Sequence, residues 1–267
     1  MIHVTISTKG GVGKSTAALQ VLSAYVSNKN PDKRLNFVEI DDENRSVAKF
    51  SQSKILEFAR VVSTEFIEDF IDDSAFASDD IVVDVGGNKT ATMFLQTLSK
   101  KGGFLDEVTY YIPMMDGDQD AQNAQETFEI IRQFDKKNKI VYVLNRCQKK
   151  ENKDLLERQF LFYFGNDSLD IQPITKDEKT FEIGINYADI YKVAGKLQKL
   201  VYELADEDHQ EEFETLAKLY WEDKNNKEVY KKVRKIQKLK DSAREAKELV
   251  RNEYLALFNS IDKILEA

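Results

Sequence analysis

Ten residues near the start of the chain constrain its fold more than any other segment. They read S-T-K-G-G-V-G-K-S-T over positions 7–16 and directly follow a β-branched apolar run at residues 2–6. After them, apolar side chains recur at helical spacing on one stripe formed by Ala18, Leu19, Leu22 and Val26. In a strand–loop–helix unit of this kind, backbone N–H groups and the positive end of the helix surround an anion. The segment therefore predicts a phosphate-binding loop.

The loop matches one variant of the phosphate-loop pattern better than the general form. The general form, G-x-x-x-x-G-K-[ST], requires glycine where this chain has Thr8, whereas the variant K-G-G-x-G-K-[ST] is matched in full over residues 9–15. Lys14 would supply a mobile cation near the β- and γ-phosphates, and Ser15 a hydroxyl for Mg²⁺, with Thr16 near the α-phosphate. Lys9 and Lys14 would repel each other without an anion between them.

Short apolar runs with helical patterns between them predict the fold class. The apolar residues are nearly continuous within each run, which is typical of strands buried on both faces. Strand and helix alternate, so we expect an α/β fold with a mostly parallel twisted sheet and helices on both faces. The runs occupy residues 2–6, 35–40, 81–85, 108–112 and 140–144, and the clearest helical patterns occupy residues 15–26 and 119–134.

Glycine and proline divide the chain into two parts. All 11 Gly and all 3 Pro lie at or before Gly195, so the remainder should be almost wholly helical. We expect residues 1–195 to form the α/β domain and residues 196–267 a helical C-terminal region that packs on it or extends from it. From Val229 onward, apolar residues recur every three or four positions, which predicts one long amphipathic helix or two in series.

Charge is distributed as unevenly as glycine. The chain has 39 Lys and Arg against 47 Asp and Glu, a formal charge of −8, which excludes a globally basic nucleic-acid binder. Residues 203–214 nevertheless carry seven acidic side chains and no Lys or Arg, whereas residues 227–240 carry seven basic side chains and one acidic one. Cys147 alone cannot form an intramolecular disulfide, and no apolar run approaches the roughly 20 residues that span a bilayer. We expect a cytoplasmic protein.

The string K-G-G-V-G-K-S-T resembles the deviant Walker A motif of the ParA/MinD family of P-loop ATPases. In that family a signature lysine reaches across a nucleotide-sandwich dimer to the phosphates of the partner, and Lys9 stands at its position. The resemblance implies a homodimer formed on ATP binding, Mg²⁺, and slow, partner-stimulated hydrolysis. It also implies nucleotide contacts from Lys9, Gly10, Gly11, Val12, Gly13, Lys14, Ser15 and Thr16.

Two further segments match the family's switch regions. Asp41 stands at the switch I aspartate, so the resemblance implies that Lys9, Lys14 and Asp41 serve catalysis. Asp84 follows the apolar residues 81–83 within the run 81–85, as in Walker B, so the resemblance implies that Ser15, Asp41 and Asp84 hold the metal and that Gly87 contacts the γ-phosphate. Asp42 and Glu43 depart from the family's D-x-D-P-Q, and Gly86-Gly87 depart from the D-x-P-P of many partition ATPases.

Two segments resemble the family's adenine-binding elements. Asn145 follows the run 140–144, at a position where the family's asparagine amide contacts adenine. Residues 171–174 resemble the I-P element of the family's last strand, so Pro173 and Ile174 would pack beside the base. The only histidines are His3, which we expect in the core, and His209.

The resemblance is greatest to the ParA-type ATPases of plasmid or chromosome partition. It implies non-specific DNA binding, a DNA-bound adaptor protein and association with the nucleoid. A basic stretch could bind DNA, or it could pair with the acidic residues at 203–214 or, by i,i+4 contacts, with Asp241, Glu245 and Glu248. Its members are Lys227, Lys231, Lys232, Arg234, Lys235, Lys238 and Lys240.

Other functions stay open at this point. The C-terminal residues 252–267 have an acidic polar face, so we expect them to pack on the core or on a partner helix rather than insert into a membrane. A same-fold ATPase could position another cargo, such as a division, conjugation or secretion complex. An ATP-dependent metabolic ligase of the same superfamily would need neither Lys9 nor a basic tail. A scaffold that binds ATP and scarcely hydrolyses it is the remaining alternative.

Overall fold

A seven-stranded parallel sheet organises the part of the chain that carries the loop. The structure, a computed structural model, describes residues 1–42, 47–75, 79–101 and 107–267. Within these ranges the strand order is β3-β2-β4-β1-β5-β6-β7, and every neighbouring pair is parallel. The strands are β1 Ile2–Thr5, β2 Leu35–Ile40, β3 Leu56–Val62, β4 Ile81–Val85, β5 Val108–Met114, β6 Lys139–Cys147 and β7 Thr180–Asn186.

The predicted α/β fold class is confirmed, and all five predicted strands are present, as β1, β2, β4, β5 and β6. Two strands were missed, and both lie at the edges of the sheet. β3 pairs only with β2 and contains Glu57 and Arg60, whereas β7 pairs only with β6 and contains Glu182 and Gly184. Edge strands contact solvent and tolerate polar residues, so they lack the continuous apolar run that marks the buried strands.

Helices connect the strands and cover the sheet. The helix after the loop begins with a π-helical segment, Thr16–Leu22, and continues as α1 Ser23–Lys29. The predicted helix over residues 119–134 is confirmed as α4 Asp118–Phe134. The others up to β7 are α2 Ile67–Ala75, α3 Lys89–Lys100, α5 Lys153–Gln159 and α6 Leu161–Phe164, with short 3-10 turns at Val47–Phe50, Thr64–Phe66 and Asp167–Leu169.

The central strands are buried on both faces. Val4 of β1, Val83 of β4 and Ile140 of β6 are completely inaccessible to solvent. His3 is also buried, as expected: its Nδ1 lies 3.1 Å from the Tyr111 hydroxyl oxygen. Because every strand is parallel, the segments that follow β1, β2, β4 and β6 all emerge at one edge of the sheet, where ligands bind in open α/β sheets.

The chain packs as two units. One comprises residues 1–188 together with 257–267, and the other is the helical segment Asp189–Ala256. The helical unit contains α7 Ile190–Leu197, α8 Val201–Leu204, α9 Gln210–Glu222 and α10 Lys227–Leu249, followed by a π-helical segment, Val250–Tyr254. The tail is helical, as predicted, whereas the predicted boundary between residues 195 and 196 stays a prediction.

The last helix, α11 Leu255–Glu266, contributes its apolar face to the first unit. Phe258 and Ile261 are buried, and the Tyr25 hydroxyl donates a hydrogen bond of 2.6 Å to Asp262. The expectation that the C-terminal apolar face packs on the core is therefore confirmed. In the described part of the chain, no helix is long and apolar enough to cross a bilayer.

Candidate functional site

The loop between β1 and the first helix has the backbone conformation that its glycines allow. Gly11 and Gly13 have φ angles of +81° and +90°, which side chains rarely adopt. The Thr8 N–H donates to Thr127 Oγ1 of α4 at 3.2 Å, and Thr8 O accepts from the Asn88 N–H at 3.0 Å. Hydrogen bonds to Thr127 and Asn88 thus hold the start of the loop on two sides, and the glycines allow the turn that follows.

Both loop lysines have defined partners. Lys14 is mostly buried, and its Nζ donates to the backbone oxygen of Lys9 at 2.9 Å, which folds the side chain over the loop. Burial lowers the pKa of Lys14, against the charges of Asp84 and Asp41, which raise it. Lys9 Nζ lies 2.5 Å from Asp120 Oδ1. The loop therefore presents one buried cation beside carboxylates and one half-buried cation held by an ion pair.

Asp84, at the end of β4, is the most perturbed carboxyl group at this edge of the sheet. It is 4% exposed, and burial raises its pKa to about 7, although a hydrogen bond from Ser15 and the charge of Lys14 act to lower it. Its Oδ1 atom has no hydrogen-bond partner among the residues that the structure describes. A buried oxygen left unsatisfied is costly, and a bound cation or its water shell would satisfy it.

These groups fit Mg²⁺. The ion prefers oxygen ligands, keeps several waters and is usually held by one or two carboxylates plus substrate phosphates. The Ser15 hydroxyl and the unsatisfied oxygen of Asp84 are donors of that kind. Within the described ranges there is no cluster of three His, Cys, Asp or Glu side chains that could hold a metal ion.

The two glycines after Asp84 allow close approach to the loop and to Asp41. The Gly86 N–H donates to Ile40 O at 2.7 Å, and a Cβ atom at Gly86 would lie 2.9 Å from Asp41 Oδ2. A Cβ atom at Gly87 would lie 3.1 Å from the backbone nitrogen of Gly10. The Gly-Gly pair, a departure from the family pattern, therefore has a steric reason in this chain.

Asp42 also has a local explanation. Its carboxylate accepts hydrogen bonds from the Thr64 N–H at 2.8 Å and the Thr64 hydroxyl at 2.6 Å, which lower the pKa of Asp42. Asp42 thereby ties the end of β2 to the segment after β3. Glu43, the other departure noted here, lies outside the described residues.

Asn145 contacts the loop directly. Its Nδ2 donates to Val12 O at 2.8 Å, and a Cβ atom at Gly13 would lie 2.8 Å from the same nitrogen. The side chain is almost completely buried. Asn145 therefore supports the loop in this structure, and contact with adenine stays a prediction.

The interpretation of residues 171–174 as part of the last strand was wrong. The last strand is β7, Thr180–Asn186, and Pro173 lacks the N–H that an interior ladder position needs. Ile174 is buried and its N–H donates to Tyr163 O, whereas Pro173 is exposed. In the parts of the chain that the structure describes, no hydrogen bond or ion pair joins either residue to the loop.

Strand β7, which ends beside Asn145, was not predicted from the sequence. Ile185 of β7 is the register partner of Asn145, and half-exposed Tyr187 follows at the same edge of the sheet. The Tyr187 N–H donates to Cys147 O at 2.9 Å. The alternation of apolar residues at positions 181, 183 and 185 was the available signal.

The basic stretch lies in α10 of the helical unit, and its seven basic side chains lie on different faces of that helix. Lys240 packs against its neighbour helix, with its ammonium 4.8 Å from the centre of the Phe213 ring, and the other six basic side chains are exposed. On the opposite side of the helix, Ile236 and Ala243 are buried. Five exposed members share one face at spacings of three or four residues, and we call them the basic face: Lys227, Lys231, Arg234, Lys235 and Lys238.

The basic face is not neutralised by the acidic stretch. Within the ranges described above, Lys231 alone of the five has a carboxylate within 4.0 Å, that of Glu228 at 3.1 Å. In the acidic stretch, Glu207 pairs with Lys199, and Glu203 accepts a hydrogen bond from the Leu200 N–H at 2.9 Å. The charges of the basic face are therefore available to a partner.

Comparison with known proteins gives likenesses to solved structures alone. No family model matches the chain, and no curated protein matches it. A solved structure similar to it is a Borrelia burgdorferi B31 protein described as a plasmid partition protein bound to AMPPNP. That protein shares 13% sequence identity with this chain at a TM-score of 0.45, over 70% of this chain and 87% of its own length.

The resemblance to the ParA group now extends from the motif to its structural context. The K-G-G-V-G-K-S-T string lies between a central parallel strand and a helix, as the P-loop fold requires. Asp84 is the penultimate residue of the neighbouring strand β4. The chain is thus an α/β protein with a glycine-rich loop between its central strand and its first helix, and with a helical C-terminal region.

Proposed function

We propose that this protein is a ParA-like ATPase that binds and hydrolyses ATP with Mg²⁺, closes into a sandwich dimer on ATP, and holds DNA non-specifically in plasmid or chromosome partition. The observation that carries the nucleotide part is the buried Asp84, whose Oδ1 has no partner in the described structure, beside Lys14 at the glycine loop. A carboxylate and a lysine in this arrangement are satisfied together by a metal ion and phosphates.

The loop residues would bind and orient the nucleotide. Backbone N–H groups of residues 10–16 would surround the β-phosphate, and Lys14 would move from Lys9 O to the β- and γ-phosphates. Ser15, with Asp84 and Asp41 through water, would hold Mg²⁺, which neutralises phosphate charge when bound. Gly87 lies close to Gly10, and its amide would detect the γ-phosphate at the switch that follows Asp84.

Asp41 and Lys9 would supply the hydrolytic step. Asp41 lies beside Gly86, at the carboxyl end of β2, where its carboxylate would orient the attacking water. Lys9 would reach across the closed dimer to the phosphates bound by the partner subunit and stabilise their developing charge. An adaptor that favours the closed switch state would raise turnover.

The basic face would bind the DNA backbone. Its five side chains span about 17 Å of helix surface, estimated from 1.5 Å per residue, and present cations without base-reading geometry. Contacts of this kind give affinity without sequence preference that decreases steeply with salt. The protein would then act in the cytoplasm, associated with the nucleoid.

DNA co-sedimentation tests the partition function. The protein would be centrifuged with duplex DNA in the presence of ATP, ADP or no nucleotide, at two salt concentrations. Binding that requires ATP and weakens at the higher salt supports the proposal. Absence of binding under every condition, with ATP still bound, would favour an ATPase of the same fold that positions another cargo.

Two substitutions separate an ATPase from a nucleotide-dependent scaffold. Asp41→Ala should reduce ATP turnover on the order of 100-fold and leave ATP binding nearly intact, because Asp41 would act on the attacking water. Lys9→Ala should bind ATP and fail to dimerise. Unchanged turnover in Asp41→Ala would show that Asp41 is not catalytic, and a fully active Lys9→Ala protein would contradict the signature-lysine role.

A further inference from the structure

The end of α9 and the start of α10 carry a group of neighbouring aromatic side chains at the surface of the helical unit. Trp221, the only tryptophan of the chain, is 67% exposed, and Tyr230 is 46% exposed. Half-buried Tyr220 joins them, because its ring centre lies 6.3 Å from that of Trp221 and 5.5 Å from that of Tyr230. We call these three side chains the aromatic cluster.

The aromatic cluster is poorly covered by its own helices. The structure describes every residue of α9, and none of them is buried. Leu219, beside the cluster in the chain, is also exposed. Single apolar side chains are common on protein surfaces, whereas adjoining apolar side chains with a polar rim mark binding sites. The cluster is therefore a candidate binding surface.

Exposed cations adjoin the aromatic rings. The Lys224 ammonium lies 4.5 Å from the centre of the Trp221 ring. Lys227 and Arg234, both members of the basic face, precede Tyr230 by three positions and follow it by four. Residues at these spacings are neighbours on a helix surface. The aromatic cluster and the basic face are thus parts of one continuous surface of the helical unit.

The charge of this surface indicates the class of partner. Residues 218–235 carry seven basic and three acidic side chains, a formal charge of +4. An apolar protein surface would remove water from the cations beside the rings without replacing their hydrogen bonds, which is costly. A nucleic acid strand instead supplies phosphates to the cations and the flat faces of its bases to the aromatic rings.

We propose that the aromatic cluster binds unpaired nucleotides, with Trp221 and Tyr230 stacked on bases. The cations beside the rings contact the neighbouring phosphates. In a duplex each base face is covered by the next base pair, so only unpaired nucleotides offer their faces to a side chain. This inference rests on the proposed function, because the basic face takes part in both, and it extends that function from duplex DNA to single strands.

The single tryptophan makes stacking measurable in the unaltered protein, because all tryptophan emission comes from Trp221. The full chain, with ATP and Mg²⁺, would be titrated with a single-stranded oligothymidylate and with an abasic strand of the same length, which keeps the phosphates. Oligothymidylate should quench the emission and bind about tenfold more tightly than the abasic strand. Equal affinities for the two strands, or unchanged emission at saturation with oligothymidylate, would overturn the proposal.

Substitutions test the individual rings. Trp221→Ala and Tyr230→Ala should each weaken oligothymidylate binding about tenfold and leave binding of the abasic strand unchanged, because each removes one stacked base. Fluorescence anisotropy of labelled strands measures both affinities. Trp221→Phe keeps a ring and should retain most of the affinity.

Phe66→Ala is the matched control for these variants, since Phe66 is a 49% exposed aromatic residue of the first unit. It should bind oligothymidylate as the wild type does. The exposure of Trp221 predicts equal melting temperatures for Trp221→Ala and the wild type. If Trp221→Ala and Phe66→Ala bind oligothymidylate equally well, the aromatic cluster does not stack on bases.

A duplex of the same length separates failure of this inference from failure of the proposed function. Duplex binding with ATP, without any preference for oligothymidylate over the abasic strand, would overturn this inference alone. Binding of neither duplex nor single strand would overturn both.

Sedimentation velocity without DNA tests a second copy of the chain as the occupant of the aromatic cluster. We expect the same sedimentation behaviour for the wild type and Trp221→Ala. Self-association that Trp221→Ala abolishes, with unchanged affinity for oligothymidylate, would overturn the proposal in favour of an interface between copies.

Discussion

Two groups of basic side chains in this protein are placed in opposite ways by the fold. Lys9 and Lys14 of the loop are half-buried and buried, and each donates to a defined oxygen atom. The basic face of α10 is exposed, and four of its five members have no carboxylate within 4.0 Å in the described structure. The first arrangement suits one anion of fixed shape, whereas the second suits an extended anionic surface.

The difference teaches how charge relates to specificity in this chain. A buried cation is tolerated only with partners at fixed positions, so the loop selects a ligand by geometry as well as by charge. An exposed cation is hydrated and adaptable, so the basic face contributes attraction and little selectivity. Sequence charge alone does not distinguish the two groups, because both consist of basic residues beside polar ones.

The largest expected effect comes from removal of the buried cation, Lys14. Lys14→Ala should weaken ATP binding about 100-fold, because it removes a charge-assisted contact to phosphate in a buried site. Isothermal titration calorimetry measures the affinity. Lys33→Ala is the matched control, since Lys33 is an exposed lysine that pairs with Asp79 at 3.0 Å. Equal affinities in the two variants would show that burial of Lys14 has no functional meaning.

The second prediction concerns the exposed basic face of α10. Alanine at four positions of the basic face should weaken duplex DNA binding by about 10- to 100-fold at moderate salt and reduce the salt dependence by up to about four phosphate contacts. Fluorescence anisotropy across a salt series measures both quantities. The positions are Lys231, Arg234, Lys235 and Lys238.

The control for the basic face changes charge by the same amount elsewhere. Four exposed lysines of the first unit serve this purpose, and alanine at them should have a smaller effect on DNA binding. If the two quadruple variants lose affinity equally, net charge rather than the basic face governs binding. The control positions are Lys100, Lys136, Lys149 and Lys153.

A third prediction uses the pH dependence of stability. The pKa of Asp84 is raised from 3.8 to about 7, so between these values the native state binds more protons than the unfolded state. Its contribution to the free energy of unfolding is therefore present below about pH 4 and is lost as the pH rises through 7. Without Mg²⁺, the melting temperature should decrease over this range by several degrees more in the wild type than in Asp84→Asn.

Thermal melts at pH 5, 6, 7 and 8 measure this difference. The Asp84→Asn variant is the reference, because it retains all the other titrating groups. Mg²⁺ with ATP favours the ionised carboxylate and should reduce the pH dependence of the wild type. Parallel curves for the two proteins, with and without Mg²⁺ and ATP, would mean that Asp84 does not titrate in this range.

The smallest expected effect concerns Asn145. Its contact with Val12 O supports the loop, so Asn145→Ala should weaken ATP and GTP binding by a similar factor of about three to ten. Competition with a fluorescent nucleotide measures both affinities. A loss confined to ATP would instead support the adenine contact that the family resemblance implies.

The loop and the buried strands could be predicted because their signals are local. Glycine spacing between a strand and a helix determines the turn, and continuous apolar runs mark the strands that helices cover on both faces. The basic face was also visible as a charge run. The exposure of this face could not be predicted, because the sequence left open whether the acidic residues at 203–214 would pair with it.

The contacts between distant segments could not be predicted. Asp120 is 111 residues from Lys9, and only the parallel order of β1 and β5 brings the helix after β5 to the loop. β3 and β7 were missed because edge strands carry polar residues. Pro173 was assigned to a strand from its resemblance to a family element, although its missing N–H argues against an interior ladder position.

The most direct test of the central claim is the binding of ATP to the wild-type protein in the presence and absence of Mg²⁺. We predict one ATP bound per chain, with tighter binding when Mg²⁺ is present, because Ser15 lies in the loop that would hold the phosphates and Asp84 lies beside it. Isothermal titration calorimetry gives both the stoichiometry and the affinity. Folded protein that shows no saturable ATP binding, with Mg²⁺ or without it, would contradict the account.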